Sequence, residues 1–170
     1  GFDRADAVEV ACSMIVEHAE RLAAVVVEPL VQGAAGMQVL APSAFGPLGE
    51  ACRRNDVLLI CDEVAVGFGR TGTLFASEQC GLQPDLLALG KGITGGYLPM
   101  SVTAASQRVF AAFLGEDLGP RTLYHGHSYG GNALAAAVAL EHLRLIDRDG
   151  VLANVADRAD QFRRLLAERV

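Results

Sequence analysis

Polar residues stand where apolar runs end. Lys91 lies between Gly90 and Gly92, directly after Asp85-Leu86-Leu87-Ala88-Leu89. Asp62 and Glu63 follow the apolar run 57–61, and Glu28 follows Val25-Val26-Val27. A lysine at a buried strand end loses hydration, so its pKa falls and a neutral amine becomes available. Such an amine attacks aldehydes and forms a Schiff base. A carboxylate at a buried strand end is costly unless a cation or a proton donor meets it. A carboxylate that keeps a heterocyclic nitrogen protonated, opposite a lysine that captures the aldehyde of the same ring, is the pattern of pyridoxal-phosphate chemistry. Simpler readings stand beside this one. Lys91 could pair with Asp85 or Asp62, and Asp62 could cap the next turn or pair with Arg70.

These residues need elements to carry them. Residues 23–30, 57–64 and 84–90 read as buried strands rich in β-branched or aliphatic residues, the first stopped by Pro29, and 100–106 as a fourth strand. Helical periodicity runs over 7–22, 132–147 and 152–170, and a further helix starts near Gln107. Ser43 is placed to cap a helix reaching Arg54, although Gly46 and Pro47 weaken its first half. Residues 122–126 read as a short strand or a loop. Near-continuous apolar strands alternating with helices predict an α/β fold, a mostly parallel sheet with helices on both faces. Ligands bind beyond the strand ends of such sheets. Glu28, Asp62, Lys91 and the 125–128 segment all gather there.

The chain has 170 residues, 51% hydrophobic and 20% charged, which fits one globular domain. Its net charge is −6, and the basic residues cluster no further than Arg53-Arg54 and Arg163-Arg164. That speaks against nucleic acid and gives no reason to expect an anionic membrane. No apolar stretch approaches the roughly 18 residues that a span requires. Cys12, Cys52, Cys61 and Cys80 form no CxxC pair. They read as free thiols in a reducing, cytoplasmic setting, without a zinc site.

Four segments carry a closer likeness. Residues 25–37 (VVVEPLVQGAAGM), 58–72 (LLICDEVAVGFGRTG), 84–99 (PDLLALGKGITGGYLP) and 124–143 (YHGHSYGGNALAAAVALEHL) resemble, in order, the consecutive motifs of class III aminotransferases. These are pyridoxal-phosphate enzymes of fold type I. Lys91 follows Asp62 by 29 positions, and the likeness covers roughly residues 23–147. It implies that Asp62 bonds the pyridine nitrogen, that Val64 packs on one ring face and that Lys91 is the Schiff-base lysine. It further implies that His127 and Ser128 meet the phosphate of a neighbouring subunit's cofactor in a homodimer with shared sites, with Gly126 near the substrate. Glu28 stands where the family has a glutamate beside the cofactor. The implied partners are a small amino donor and a keto acceptor.

Departures from the family pattern are informative. Many relatives carry Gln at Ala65, whereas the biotin-pathway branch carries alanine, so DEVA (62–65) and GKGITGGYLP (90–99) most resemble that branch. Its reaction converts 8-amino-7-oxononanoate to 7,8-diaminononanoate. Another ω-amino-acid or diamine aminotransferase of the class is the alternative. Val66 replaces a usual threonine, Ala35 a usual glycine, and Ser128 keeps the hydroxyl where threonine is commoner. The family's upstream glycine/serine phosphate loop, its ring-stacking aromatic and its C-terminal, arginine-bearing small domain have no counterpart here. Residues 1–170 therefore read as a single partial domain, the central and later part of the large cofactor-binding domain. Alone, the chain is expected to be weakly active or inactive.

Residues 126–130, GHSYG, also fit the G-x-S-x-G elbow of α/β-hydrolases, with Ser128 as nucleophile. A hydrolase needs its acid and then its histidine on later strand ends. After Ser128 the only histidine is His142, 14 positions on within a helical pattern. His125 and His127 share a side only in a strand, and no carboxylates cluster near them to complete a metal site. His18 and His142 read as helix-surface or packing residues.

Overall fold

The structure, a computed structural model, describes residues 4–169. The chain opens with helix α1 (Arg4–His18), extended by a 3-10 turn over Ala19–Arg21. Strand β1 (Ala24–Val27) leads into a small antiparallel hairpin, β2 (Val31–Gln32) and β3 (Gln38–Val39). Helix α2 (Phe45–Arg54) follows, then strand β4 (Leu58–Asp62), the single-turn helix α3 (Ala76–Gln79) and strand β5 (Leu86–Leu89). A 3-10 turn over Lys91–Thr94 comes next, then strand β6 (Val102–Ala105), α4 (Gln107–Ala112), α5 (Ala133–Arg148) and α6 (Val151–Ala167).

The main sheet has the order β1-β4-β5-β6. β1, β4 and β5 run parallel, and β6 returns antiparallel along the edge of β5. The fold is thus α/β with a mostly parallel sheet, as the strand and helix patterns predict. Leu59 and Cys61 alternate out of β4 onto one face. There they join Ile15 of α1 and Phe45, Leu48 and Cys52 of α2 in the main core. Burial of a side chain such as Phe45, 2% exposed, contributes about 2–3 kcal/mol. On the opposite face Val26 of β1 stays 65% exposed. A second apolar cluster, Leu89, Ile93 and Ala139, packs α5 over the carboxyl end of β5.

Several expectations change in detail. Ser43 lies inside a 3-10 turn over Pro42–Ala44 and makes no cap; α2 starts two residues later. The second strand ends at Asp62 rather than residue 64, because Val64 enters a turn. Residues 122–126 form no strand, so GHSYG follows a loop. The Gly-rich stretch after β1 holds the β2–β3 hairpin. Asn132 does open the long helix, its Oδ1 accepting from the amides of Leu134 and Ala135 at 3.1 and 3.2 Å. Val170, read as the end of the last helix, lies outside the described residues. Among the described residues no helix is long and apolar enough to cross a membrane.

Candidate functional site

The parallel register brings three of the expected residues to one edge. Val27 pairs with Cys61, so Glu28 leaves β1 level with Asp62 at the end of β4. Asp62 pairs with Ala88, and Lys91 leaves β5 three residues later. Adjacent strands lie about 4.8 Å apart, so the carboxyl ends of β1, β4 and β5 form one continuous rim.

Asp62 is half-buried, and its Oδ1 accepts from the amide of Val64 at 3.0 Å. The turn-capping role is therefore present, but it occupies one oxygen. Among the described residues Oδ2 has no partner, and Arg70 does not reach it. Glu63 takes the opposite course, as alternation along a strand requires. It is fully buried, and its two oxygens accept from the amides of Ala76 and Ser77 at 2.9 and 2.7 Å. This charged acceptor holds α3 against the end of β4. The DE pair thus divides its work, one carboxylate facing the rim and one bracing the loop behind it. Sequence reasoning noted Glu63 without giving it a task.

Lys91 departs from expectation in one respect. Its side chain is exposed in this chain rather than buried, because the surface above the rim is open. Its backbone is tightly set. Lys91 has φ 39°, in the left-handed region that disfavours side-chain-bearing residues. A Cβ on Gly90 would lie 3.3 Å from Val64 Cγ1, and one on Gly92 3.0 Å from Phe68. A side chain at either glycine would crowd Val64 or Phe68, which fill the space that the glycines leave. Among the described residues Lys91 has no ion pair. Asp85, one partner weighed for it, accepts from the Leu59 amide at 3.0 Å instead.

Lys91 borders a cavity of about 1260 Å³, walled also by residues 98–101, Gly126, His127, Tyr129 and the start of α5. The structure thus gathers Lys91, Gly126 and His127 on one cavity. Asp62, Val64, Glu28 and Ser128 do not line it. Glu28 Oε2 accepts from the Gly33 amide at 2.9 Å, which ties it to the loop before the hairpin. His127 and Ser128 are exposed. The Nδ1 of His127 accepts from the Tyr129 amide at 3.2 Å.

The hydrolase arrangement does not form. Ser128 sits in an exposed turn without a preceding strand, and the Nδ1 of His142 is spent on the carbonyl of Ile93 at 3.2 Å. Among the described residues no group of three or more His, Cys, Asp and Glu side chains converges as a metal site. All four cysteines are free. Burial pushes the Cys61 thiol up to about 12 and Cys80 up to about 11, and raises Cys12 and Cys52.

The donor set fits a small, flat, anionic aldehyde of the pyridoxal-phosphate type. One carboxylate oxygen is unspent at the rim, an aliphatic side chain lies beside it, and an amine stands on a fixed turn one strand away. Comparison with known proteins agrees. The class III aminotransferase family matches residues 3–169. The chain is 49% identical over 150 residues to an adenosylmethionine-8-amino-7-oxononanoate aminotransferase of Nitratidesulfovibrio vulgaris, covering 88% of this chain and 28% of that protein. It is 44% identical to the enzyme of the same name from Aquifex aeolicus, covering 92% and 34%. The crystal structure of the Methanocaldococcus jannaschii enzyme of that name superposes with a TM-score of 0.86 at 39% identity, over 92% of this chain and 37% of that one. An ornithine aminotransferase from Toxoplasma gondii, with pyridoxal phosphate at partial occupancy in its active site, superposes at 0.80 and 34% identity, covering 99% and 37%. The chain thus spans about a third of the length of the relatives it matches. With the strand-end lysine and carboxylate in register and the family match running over nearly every residue, this chain belongs to the class III aminotransferases, on the fold type I scaffold.

Proposed function

We propose that the full-length protein is a pyridoxal-phosphate-dependent aminotransferase that converts 8-amino-7-oxononanoate to 7,8-diaminononanoate in biotin biosynthesis. In it, this chain forms the central and later part of the large domain of a cytoplasmic homodimer. The observation that carries the reading is the shared rim of Glu28, Asp62 and Lys91 on three neighbouring parallel strands. The relatives' common name and Ala65 support the biotin-pathway branch over an ω-amino-acid or diamine enzyme.

When bound, the cofactor supplies a protonated pyridine ring that draws electrons from the reacting carbon. Asp62 offers its Oδ2 to that ring nitrogen and keeps it protonated, while Oδ1 on Val64 fixes the carboxylate plane. Val64, seated against Gly90, packs on one ring face. Lys91 would hold the cofactor's aldehyde carbon through its Nζ, the carbonyl oxygen leaving as water. Its amine, freed when the amino donor takes its place, would serve as the base and acid that moves a proton at the donor carbon. The exposed Lys91 gains its dry surroundings from surfaces outside these residues, including a second subunit. Ser128 and His127 present a hydroxyl, a ring nitrogen and backbone amides to the phosphate of the neighbouring subunit's cofactor. Gly126 leaves room for substrate, and Glu28 stands beside the cofactor, steadied by Gly33.

The test is the full-length protein loaded with pyridoxal phosphate and given 8-amino-7-oxononanoate, with S-adenosylmethionine or lysine as donor. Mass spectrometry should find 7,8-diaminononanoate with one of these donors. Turnover of ω-amino acids or diamines with keto acids, without that product, would contradict the branch assignment.

A further inference from the structure

We propose that His142 is a positioning residue for Lys91, acting through the turn that carries the lysine. The buried residues of α5 are Ala135, Ala139 and Ile146, spaced along one helical stripe. His142 occupies the remaining place on that stripe, half-buried, where a polar side chain needs a partner. Its Nδ1 lies 3.2 Å from the carbonyl oxygen of Ile93. A carbonyl only accepts, so Nδ1 carries the hydrogen and donates it. The ring also lies 6.3 Å from the ring of Phe68, tilted by 53°. A Cβ on Gly95 would stand 3.0 Å from His142 Cδ2. One imidazole therefore touches both loops that leave the catalytic rim, the one after Asp62 through Phe68 and the one after β5 through Ile93 and Gly95.

That placement matters because the Lys91 backbone is left-handed at φ 39°. A side-chain-bearing residue holds such a conformation only where its surroundings over-determine it. Val64 and Phe68 restrain the turn at Gly90 and Gly92. His142 restrains its far end and gives the Ile93 carbonyl its donor from α5. Without the imidazole that carbonyl loses its donor and space opens beside Gly95. The turn can then relax, and the lysine amine loses its fixed approach. Misplacement of a reacting group by about 1 Å can cost on the order of a hundredfold in rate.

The inference rests on the proposed role of Lys91, and the test separates the two. Full-length apoprotein is mixed with pyridoxal phosphate and quenched with borohydride at intervals, and cofactor mass on the Lys91 peptide is followed. Lys91→Ala should trap nothing at that peptide and leave no specific adduct elsewhere; specific trapping at wild-type rate in this variant would refute the role of Lys91 itself. His142→Ala should trap cofactor on Lys91 about tenfold more slowly, with kcat lowered by a similar factor and the donor KM within about twofold. His142→Asn places an amide nitrogen where Nδ1 stands and should recover most of the loss. Wild-type trapping and kcat in His142→Ala, or no recovery in His142→Asn, would overturn the proposal. Should His142→Ala fail to fold, His142→Phe decides, because it keeps a ring beside Phe68 without a donor. Slowed trapping in His142→Phe supports the proposal, and wild-type trapping overturns it.

Discussion

The turn that carries Lys91 and the segment 122–131 border the same cavity, yet they are held in different ways. Val64, Phe68 and His142, which are distant in sequence, close on the glycines of the Lys91 turn from three sides. The other segment is tied within itself, Tyr129 to His127, Gly130 to His127 and His125 to Leu123, with Tyr124 Oη donating to the nearby Leu118 carbonyl. His127 and Ser128 are exposed, and a Cβ on Gly126 would meet nothing within 4 Å. This chain alone sets the lysine end of the site. The segment proposed to meet phosphate stays exposed in this chain, which fits the proposed shared dimer site.

Substitutions can break or sharpen that contrast. Asp62→Ala in the full-length protein should lower kcat on the order of 10²–10³-fold, about 3–4 kcal/mol of transition-state stabilisation. Ser128→Ala should cost less than about tenfold, because in the proposed site neighbouring amides also meet the phosphate. Equal losses in steady-state kinetics would erase the distinction between the two ends. Glu63→Ala leaves the buried amides of Ala76 and Ser77 without their charged acceptor. Urea unfolding should show a loss of about 2–4 kcal/mol, whereas an unchanged midpoint would mean that the brace behind the rim is dispensable.

Smaller effects probe the glycines directly. Gly95→Ala forces a Cβ to 3.0 Å from His142 at φ 61°, and should destabilise by about 1–3 kcal/mol. Gly126→Ala meets open space and should stay within about 0.5 kcal/mol. Matching thermal shifts for the two would contradict the picture of a clamped and an open wall. A pH-dependent effect concerns Cys61, whose thiol rises from 9.0 to about 12 in the fold. Because the folded value is raised, this contribution is complete below about pH 9 and is lost as pH climbs toward 12. At pH 9.5 the loss should be under about 1 kcal/mol, and Cys61→Ala should flatten it in melts across that window.

The periodic parts of the fold were legible in the residues themselves. The stripe of α5, the aliphatic runs of β4 and β5 and the strand-end placement of Asp62 and Lys91 follow from spacing and burial alone. The roles of His127, Ser128 and Gly126 came from family likeness, since an exposed loop carries no periodic signal. Strand direction was hidden. Nothing in residues 102–105 says that β6 runs against β5, because side-chain alternation is the same in both directions. The β2–β3 hairpin escaped because two-residue strands beside glycines look like loop. The exposure of Lys91 was missed because an apolar run shows that a strand is buried, not that the surface beyond its end is covered. His142 read as a packing residue, and only the fold reveals which carbonyl it meets.

The most direct test is borohydride reduction of the full-length protein bound to pyridoxal phosphate, followed by peptide mapping. Loss of the visible absorbance band is expected, with one added cofactor mass on the peptide that contains Lys91. Cofactor mass on another lysine-bearing peptide, with the Lys91 peptide unmodified, would contradict the role given to Lys91.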